Sequence, residues 1–160
     1  MKMTKLALVF LVLSCAVAFA GDKKTAKTDP WVGDWKMDVS KSKFATPGPK
    51  EETLTIAAAD ATAVKYSTKG TGPDGAPYTE SYEGKPDGKL YPLIKNKQDV
   101  AKISYHRISD HSSTGTAEMD DGTLVTETIT LAKDGKTLTI KGLIKAGKSE
   151  LSETIVFNKL

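Results

Sequence analysis

The stretch Trp31-Val32-Gly33-Asp34-Trp35-Lys36-Met37-Asp38-Val39 alternates in polarity from its second tryptophan onward. Trp35, Met37 and Val39 fall on one side of a period-two pattern, and the acidic and basic residues between them fall on the other. A strand with one buried and one solvated face has this period because successive side chains point to opposite faces. The stretch therefore predicts a half-buried β-strand at the start of a β-rich domain.

Nine further segments have the same character, since each is short and rich in β-branched and aromatic residues. They span residues 51–58, 63–69, 78–84, 89–93, 100–108, 112–119, 124–131, 137–144 and 150–157. Residues 95–102 are the one stretch of the mature chain whose pattern also permits a helix. The chain is therefore predicted to consist of short strands along nearly its whole mature length.

Glycines at hairpin positions separate many of these segments. They occur in Pro73-Asp74-Gly75, Pro86-Asp87-Gly88, Asp120-Asp121-Gly122 and Asp134-Gly135, with Ala146-Gly147 as a weaker instance. A tight hairpin needs a residue with positive φ, which glycine adopts without a steric penalty. The interval between the signals, roughly 12 residues, is typical of an all-β meander.

The order of the segments predicts an all-β fold, a single antiparallel up-and-down barrel of about 8–10 strands that spans residues 31–160. Closure of the barrel removes exposed strand edges and pairs the first strand with the last, which brings Trp35 near Phe157. A β-sandwich and an open sheet are the structural alternatives. A single domain of this length can bury a substantial core.

The first 20 residues have the form of a secretory signal peptide. Lys2 and Lys5 precede an apolar run over residues 6–20, which ends in the small-x-small sequence Ala18-Phe19-Ala20. A transmembrane anchor is the alternative, but the run is shorter than the roughly 20 residues that cross a bilayer. We therefore predict cleavage after Ala20 and a periplasmic or secreted mature protein.

Cys15 is the only cysteine of the chain, and it allows a second kind of processing. Acylation of its thiol would make a lipoprotein, but Leu13 fits that signal poorly and the apolar run continues past the cysteine. After cleavage behind Ala20 the mature chain has no cysteine, so no disulfide can stabilise it. Residues 21–30, which include three lysines, are predicted to form a flexible basic leader.

The charge of the chain argues against one class of partner. The formal net charge is +3, and removal of residues 1–20 takes away Lys2 and Lys5 and no acid, which leaves +1. A nucleic-acid-binding protein would carry a concentrated basic face. The sequence therefore predicts no nucleic-acid partner, and it gives no indication of the oligomeric state.

The start of the predicted first strand carries a family resemblance. Gly33-x-Trp35 resembles the signature of the lipocalin and fatty-acid-binding superfamily, in which the tryptophan plugs the closed end of a barrel. The longer string over residues 33–44, together with Pro47-Gly48-Pro49 and residues 133–139, is similar to exported bacterial proteins described as lipocalin-like. The resemblance implies a calycin-type barrel with Trp35 as a structural plug, and it implies no particular activity.

Three departures separate the chain from the better-known members of that superfamily. Residues 40–50 are too short and too rich in proline and glycine for the two-helix lid of fatty-acid-binding proteins, so no helical lid is expected. Residues 155–160 contain no counterpart of the arginine and tyrosine pair that grips a ligand carboxylate, and lipocalin disulfides are absent. Fatty-acid binding is therefore implied only by analogy of fold, which does not determine function.

Candidate binding residues share the phase of the apolar side chains in their strands. Glu127 falls on the same side of its strand as Val125 and Ile129. Glu153 falls on the same side as the apolar residues of the last segment, and Arg107 on the same side as Tyr105. An inward Arg107 paired with either glutamate would neutralise charges that are costly to bury and could grip a polar ligand head. The alternative is that all three groups lie at a solvated rim.

Tyr105 and Tyr82 belong to a set of five tyrosines that could line an apolar pocket, although ordinary wall positions would also explain them. His106 and His111, with Asp110 beside the second, are expected to be turn residues rather than metal ligands, because their spacing fixes no ligand geometry. No nucleophile elbow, surviving thiol or phosphate loop is present. The sequence therefore predicts no catalytic residue and no cofactor.

Two functional hypotheses follow. The first is non-enzymatic binding or carriage of a small, largely apolar molecule inside the barrel. The alternative is an envelope structural or protein-interaction module with a filled barrel, which contacts its partner through Pro47-Gly48-Pro49 or the basic leader. An interior that is completely filled by side chains, with no cavity of at least the roughly 300 Å³ typical of ligand pockets, would rule out the first hypothesis.

Overall fold

The computed structural model describes residues 29–160, so the predicted signal peptide and residues 21–28 of the predicted leader lie outside the described residues. Ten strands follow one another: β1 (Gly33–Met37), β2 (Glu51–Ala59), β3 (Val64–Thr71), β4 (Pro77–Gly84), β5 (Tyr91–Lys95), β6 (Gln98–Ser109), β7 (Ser112–Met119), β8 (Leu124–Leu131), β9 (Thr137–Ala146) and β10 (Ser149–Lys159). Within residues 29–160 no helix is long and apolar enough to cross a membrane.

The strands form one closed antiparallel barrel in which each strand pairs with its neighbours in sequence, and β1 pairs with both β2 and β10. The predicted all-β up-and-down barrel without a helical lid is confirmed. At the closure, Met37 is the direct partner of Phe157 and Trp35 is the partner of Lys159. Trp35 and Phe157 consequently belong to the same hydrophobic core.

The first strand is shorter than the predicted 31–39. Its alternation is as expected, because Trp35 and Met37 are buried while Asp34 and Lys36 are not. The chain turns at Asp38, whose carboxylate accepts hydrogen bonds from the Ser40 hydroxyl (2.6 Å) and the Asn158 side-chain amide (3.1 Å). These bonds offer the backbone an alternative to continuing the ladder, so the strand ends there.

The hairpins carry the predicted backbone conformations. All five turn glycines have positive φ: Gly75 (88°), Gly88 (76°), Gly122 (82°), Gly135 (70°) and Gly147 (58°). The β5–β6 hairpin carries no such signal in the sequence, because its two positive-φ residues are Asn96 (48°) and Lys97 (68°). The helix that residues 95–102 also permitted does not form.

The two ends of the barrel differ. One end is closed by large side chains that are almost completely buried: Trp31, Trp35, Leu131, Leu138 and Phe157. At the other end Met119 and Leu151 share the phase of inward-facing residues, yet they are 40% and 44% exposed. Inward positions that reach solvent mark the open end of the barrel.

Candidate ligand-binding site

A row of polar side chains and glycines crosses the inner wall at mid-height. Hydrogen-bond register places Tyr105, Gly115, Glu127, Gly142 and Glu153 side by side on β6 to β10. These positions face inward because they alternate with exposed residues along each strand and share the phase of the core. We call these five residues the polar row.

Apolar side chains lie on both sides of the polar row. The neighbouring row toward the open end contains Ile103, Ala117, Val125, Ile144 and Leu151. The neighbouring row toward the closed end contains Arg107, Ser113, Ile129, Ile140 and Ile155. The interior therefore presents one polar band between surfaces that are largely apolar.

The two glycines of the polar row make room for its larger side chains. A β-carbon at Gly142 would lie 3.1 Å from Cγ and 3.3 Å from Oε1 of Glu153. A β-carbon at Gly115 would lie 2.8 Å from the Tyr105 ring and 3.3 Å from Oε2 of Glu127. Each glutamate therefore leans over the glycine of the neighbouring strand, a position that a larger residue would occupy.

The electrostatics of the row are those of carboxyl groups withdrawn from water. Burial raises the pKa of Glu127 to about 7, and the negative charges of Glu153 and Glu80 add to this rise. Within residues 29–160 neither Glu127 nor Glu153 takes part in an ion pair. The site thus holds two carboxyl groups without a compensating cation, an arrangement that costs stability when both are ionised.

Tyr105 of the polar row packs with two further tyrosines, Tyr66 and Tyr82, which extend the wall beside the row. Tyr66 stacks on Tyr82 at 5.4 Å between ring centroids, and Tyr105 meets both rings edge-on at 6.2 and 5.1 Å. The hydroxyls of Tyr66 and Tyr105 are hydrogen-bonded at 3.1 Å, and the Tyr82 hydroxyl donates to the Ile103 carbonyl at 3.3 Å. Burial raises the pKa of Tyr82 to about 12, so its phenol stays neutral at physiological pH.

Toward the open end lies a second polar group that sequence reasoning missed. Glu52 accepts a hydrogen bond from the Tyr78 hydroxyl, and Glu80 pairs with Lys95 at 2.8 Å. Thr68 is the register partner of Glu80, and its buried hydroxyl has no hydrogen-bond partner within the described part of the chain. The signal in the sequence was the position of each glutamate in the period-two pattern. Glu52 falls on the same side of its strand as Leu54 and Ile56, and Glu80 on the same side as Tyr78 and Tyr82.

Arg107 is placed differently from the predicted pairing with Glu127 or Glu153. Its guanidinium donates to the carbonyls of Ala59, Ser109 and Asp110, contacts Asp29 at 3.4 Å and lies 5.1 Å from the Trp31 ring. The register explains the difference, because Arg107 stands one inward position nearer the closed end than the polar row. Its charge therefore fastens the segment before β1 to the closed end.

Trp35 lies at the closed end with no exposed surface. Its indole N–H donates to the Trp31 carbonyl at 3.0 Å, and the Lys159 ammonium lies 4.9 Å from its ring. The histidines lie apart from the interior: His106 is exposed, and Nδ1 of His111 contacts the Leu131 carbonyl at 3.2 Å. The described residues contain no group of metal-ligating side chains.

A cavity of about 240 Å³ occupies the interior. Its lining reaches from Arg107 near the closed end, past Glu127 and Tyr66, to Thr68 and Glu52 toward the open end. The volume falls somewhat short of the roughly 300–1,000 Å³ of ordinary ligand pockets. The interior is therefore not completely filled by side chains, but its cavity is smaller than the roughly 300 Å³ expected of a binding barrel.

Comparison with known proteins bears on the fold. No protein-family model and no curated protein sequence matches the chain. Among solved structures, the chain is similar to a fatty acid binding protein of Schistosoma mansoni in complex with arachidonic acid, with 16% sequence identity and a TM-score of 0.56 over 82% of this chain and 96% of that one. At this identity the likeness shows the fold alone. The chain has the closed up-and-down barrel of the fatty-acid-binding-protein fold.

Proposed function

We propose that the chain is a non-enzymatic binding protein that holds a small, largely apolar molecule inside its barrel. The observation that carries this proposal is the interior cavity of about 240 Å³, whose lining includes the apolar side chains of Ile56, Val64, Ile129, Ile140 and Ile155. Burial of an alkyl or aromatic body against these side chains removes apolar surface from water, which is the dominant favourable term in such binding. The polar row then orients the bound molecule.

The volume and the shape of the cavity restrict the ligand. A molecule held wholly inside must be smaller than the occupants of ordinary pockets. A longer molecule would extend toward the open end, where Met119 and Leu151 provide exposed apolar surface. We therefore expect a ligand with a short apolar body.

The test is a direct measurement of binding. Native mass spectrometry of protein purified from its own host shows whether a small molecule co-purifies, and calorimetric titration with octan-1-ol measures the affinity for a neutral apolar probe. Ile155→Phe places a larger side chain in the cavity lining and is expected to weaken octanol binding. The matched control is Ile108→Phe, the same substitution at a residue that is 58% exposed. The absence of both a co-purifying molecule and octanol binding would refute the proposal.

We further propose that the chain acts outside the cytoplasm as one of the exported lipocalin-like proteins it resembles. The apolar run over residues 6–20, the Ala18-Phe19-Ala20 sequence and the string over residues 33–44 support this proposal. N-terminal sequencing of the protein from a periplasmic or culture fraction is expected to begin at Gly21. A mature chain that begins at Cys15 would instead indicate lipoprotein processing.

A further inference from the structure

The interior of the barrel contains more acidic than basic side chains. Four glutamates line the cavity or lean into the interior: Glu52, Glu80, Glu127 and Glu153. The two cations that reach the interior already have partners, since Lys95 pairs with Glu80 and Arg107 contacts Asp29. Within the described residues, the remaining carboxyl groups therefore have no cation to neutralise them.

This distribution disfavours an anionic ligand. A ligand carboxylate at mid-height would lie against Glu127 and Glu153, and like charges in a low-dielectric interior repel strongly. The guanidinium of Arg107 could in principle receive an anion, but it already donates to three backbone carbonyls and contacts Asp29. The interior thus lacks a free cationic group for an acidic ligand.

A second, independent observation points to a ligand that carries a hydrogen-bonding group. Thr68 lines the cavity and is 5% exposed, and its hydroxyl has no hydrogen-bond partner within residues 29–160. An unpaired buried hydroxyl costs free energy, which a ligand group that accepts from it or donates to it can recover. Tyr66 and Tyr105 line the same cavity, and electron-rich rings attract ammonium groups.

We propose that the ligand is an amphiphilic cation, an alkyl or aromatic body that carries an ammonium group, and that the ammonium lies at the polar row against Glu127 and Glu153. This inference rests on the proposed function and specifies its ligand class. The apolar side chains that line the cavity, among them Ile129, Ile140 and Ile155, receive the body, while the carboxylates supply the charge that the ammonium requires.

The proposal makes binding depend on pH with a definite sign. Burial raises the pKa of Glu127 to about 7, so this carboxyl is largely neutral at pH 6 and largely ionised at pH 8. The titratable groups around it are Glu153 on β10, Glu80 on β4, Tyr105 on β6 and Tyr66 on β3, and its neighbours on β7 and β9 in the polar row are glycines. A permanently charged cation should therefore bind more tightly at pH 8 than at pH 6, with release of protons.

The test compares three probes with one alkyl chain: octyltrimethylammonium, octan-1-ol and octanoate, titrated calorimetrically into the mature protein at pH 6 and pH 8. The expected order of affinity at pH 8 is cation, alcohol, carboxylate. Glu127→Gln and Glu153→Gln should each lower the ratio of cation to alcohol affinity about tenfold, because each removes one carboxylate charge from beside the quaternary ammonium. Glu118→Gln, on the outer face of β7, should preserve the ratio.

The outcomes separate the two proposals. Octanol binding without preference for the cation, or tighter binding of octanoate, would overturn the cation proposal and leave the binding function standing. Failure of all three probes to bind would overturn the cation proposal, and together with the absence of a co-purifying molecule it would overturn the binding function as well. Retention of the cation preference in the two Gln variants would show that the carboxylates do not hold the ammonium, and would also overturn the proposal.

Discussion

Glu127 and Glu153 are register partners of the same residue, Gly142, on the two sides of strand β9. Two strand spacings of about 4.8 Å place their backbones about 10 Å apart, with no side chain between them. Two carboxyl groups in a barrel interior without a cation oppose folding, and a core built only for stability would have apolar residues there. Side chains that lower stability in this way are expected at functional sites.

The pH dependence of stability follows from Glu127. Its pKa in the folded protein, about 7, lies above the ordinary value of 4.5, so the folded state holds the proton more tightly than the unfolded state. The stabilisation that proton binding at Glu127 gives the folded state is therefore complete below about pH 4.5 and is lost as the pH rises through about 7. Between pH 4.5 and pH 8, we expect the wild type to lose on the order of 2–3 kcal/mol of unfolding free energy relative to Glu127→Gln.

Urea unfolding at several pH values measures this difference. Glu118→Gln serves as the control, because its side chain is exposed on the outer face of β7 and should leave the pH profile unchanged. Parallel profiles for the wild type and Glu127→Gln would contradict the expectation.

Gly142→Ala tests the space on which the polar row depends. The new β-carbon would lie 3.1 Å from Cγ of Glu153, so that flexible side chain must shift by a few tenths of an ångström. We expect stability to change by less than about 1 kcal/mol, because alanine is favoured over glycine within a strand and offsets the shift. Octyltrimethylammonium binding should weaken. A loss of several kcal/mol would show that Glu153 cannot move.

Arg107→Ala should loosen the closed end. The substitution removes the guanidinium donor to the carbonyls of Ala59, Ser109 and Asp110, of which Asp110 keeps the Trp31 indole N–H as a donor, and it removes the contact with Asp29. We expect a loss of about 2–4 kcal/mol in urea unfolding, together with faster amide exchange near Trp31. Lys102→Ala, at an exposed position on the same strand, should change stability by less than about 0.5 kcal/mol. A similar effect of both variants would mean that the guanidinium contacts contribute little.

Trp35→Ala should destabilise the barrel by roughly 3–5 kcal/mol, the range for truncation of a buried aromatic side chain. Trp35 has no exposed surface and donates a hydrogen bond to Trp31, so the variant loses packing and leaves a carbonyl unpaired. Chemical denaturation compares it with Ile108→Ala, whose side chain is 58% exposed. A loss below about 1 kcal/mol would be incompatible with Trp35 as a plug.

Lys97→Gly should stabilise the protein. Lys97 has a φ of 68°, a conformation that is unfavourable for a residue with a β-carbon, and glycine after Asn96 is the preferred pair for such a hairpin. We expect a gain of about 0.5–1 kcal/mol in thermal or urea unfolding. Lys148→Gly, at a turn position without positive φ, should instead lose stability.

The fold was predictable because its signals are local. Asp134-Gly135 and its counterparts mark hairpins through the backbone conformation of one residue, and alternation assigns Glu127 and Glu153 to the inner face. The β5–β6 hairpin lacked the glycine of such a signal: Asn96 is of a residue type that adopts positive φ readily, but Lys97 adopts it under the constraint of the paired strands.

The site was predictable only in part because it depends on register between strands. Alternation shows that Arg107 shares a phase with Tyr105, but it does not show that Arg107 lies level with Ile129 instead of Glu127. A shift of two residues along a strand is about 6.7 Å, enough to separate two charges. The unpaired hydroxyl of Thr68 is likewise a property of its surroundings, which no pattern in its own strand reveals.

Barrel closure has a consequence for the order of folding. Lys159, which pairs with Trp35, lies at the end of the tenth strand, so the ring of hydrogen bonds cannot be completed until β10 has been synthesised. Until β10 is in place, β1 and β9 each present an open edge, and contacts between distant parts of a sequence form slowly. A partly synthesised chain would therefore be prone to aggregation, and the barrel is expected to close only after β10 has left the ribosome.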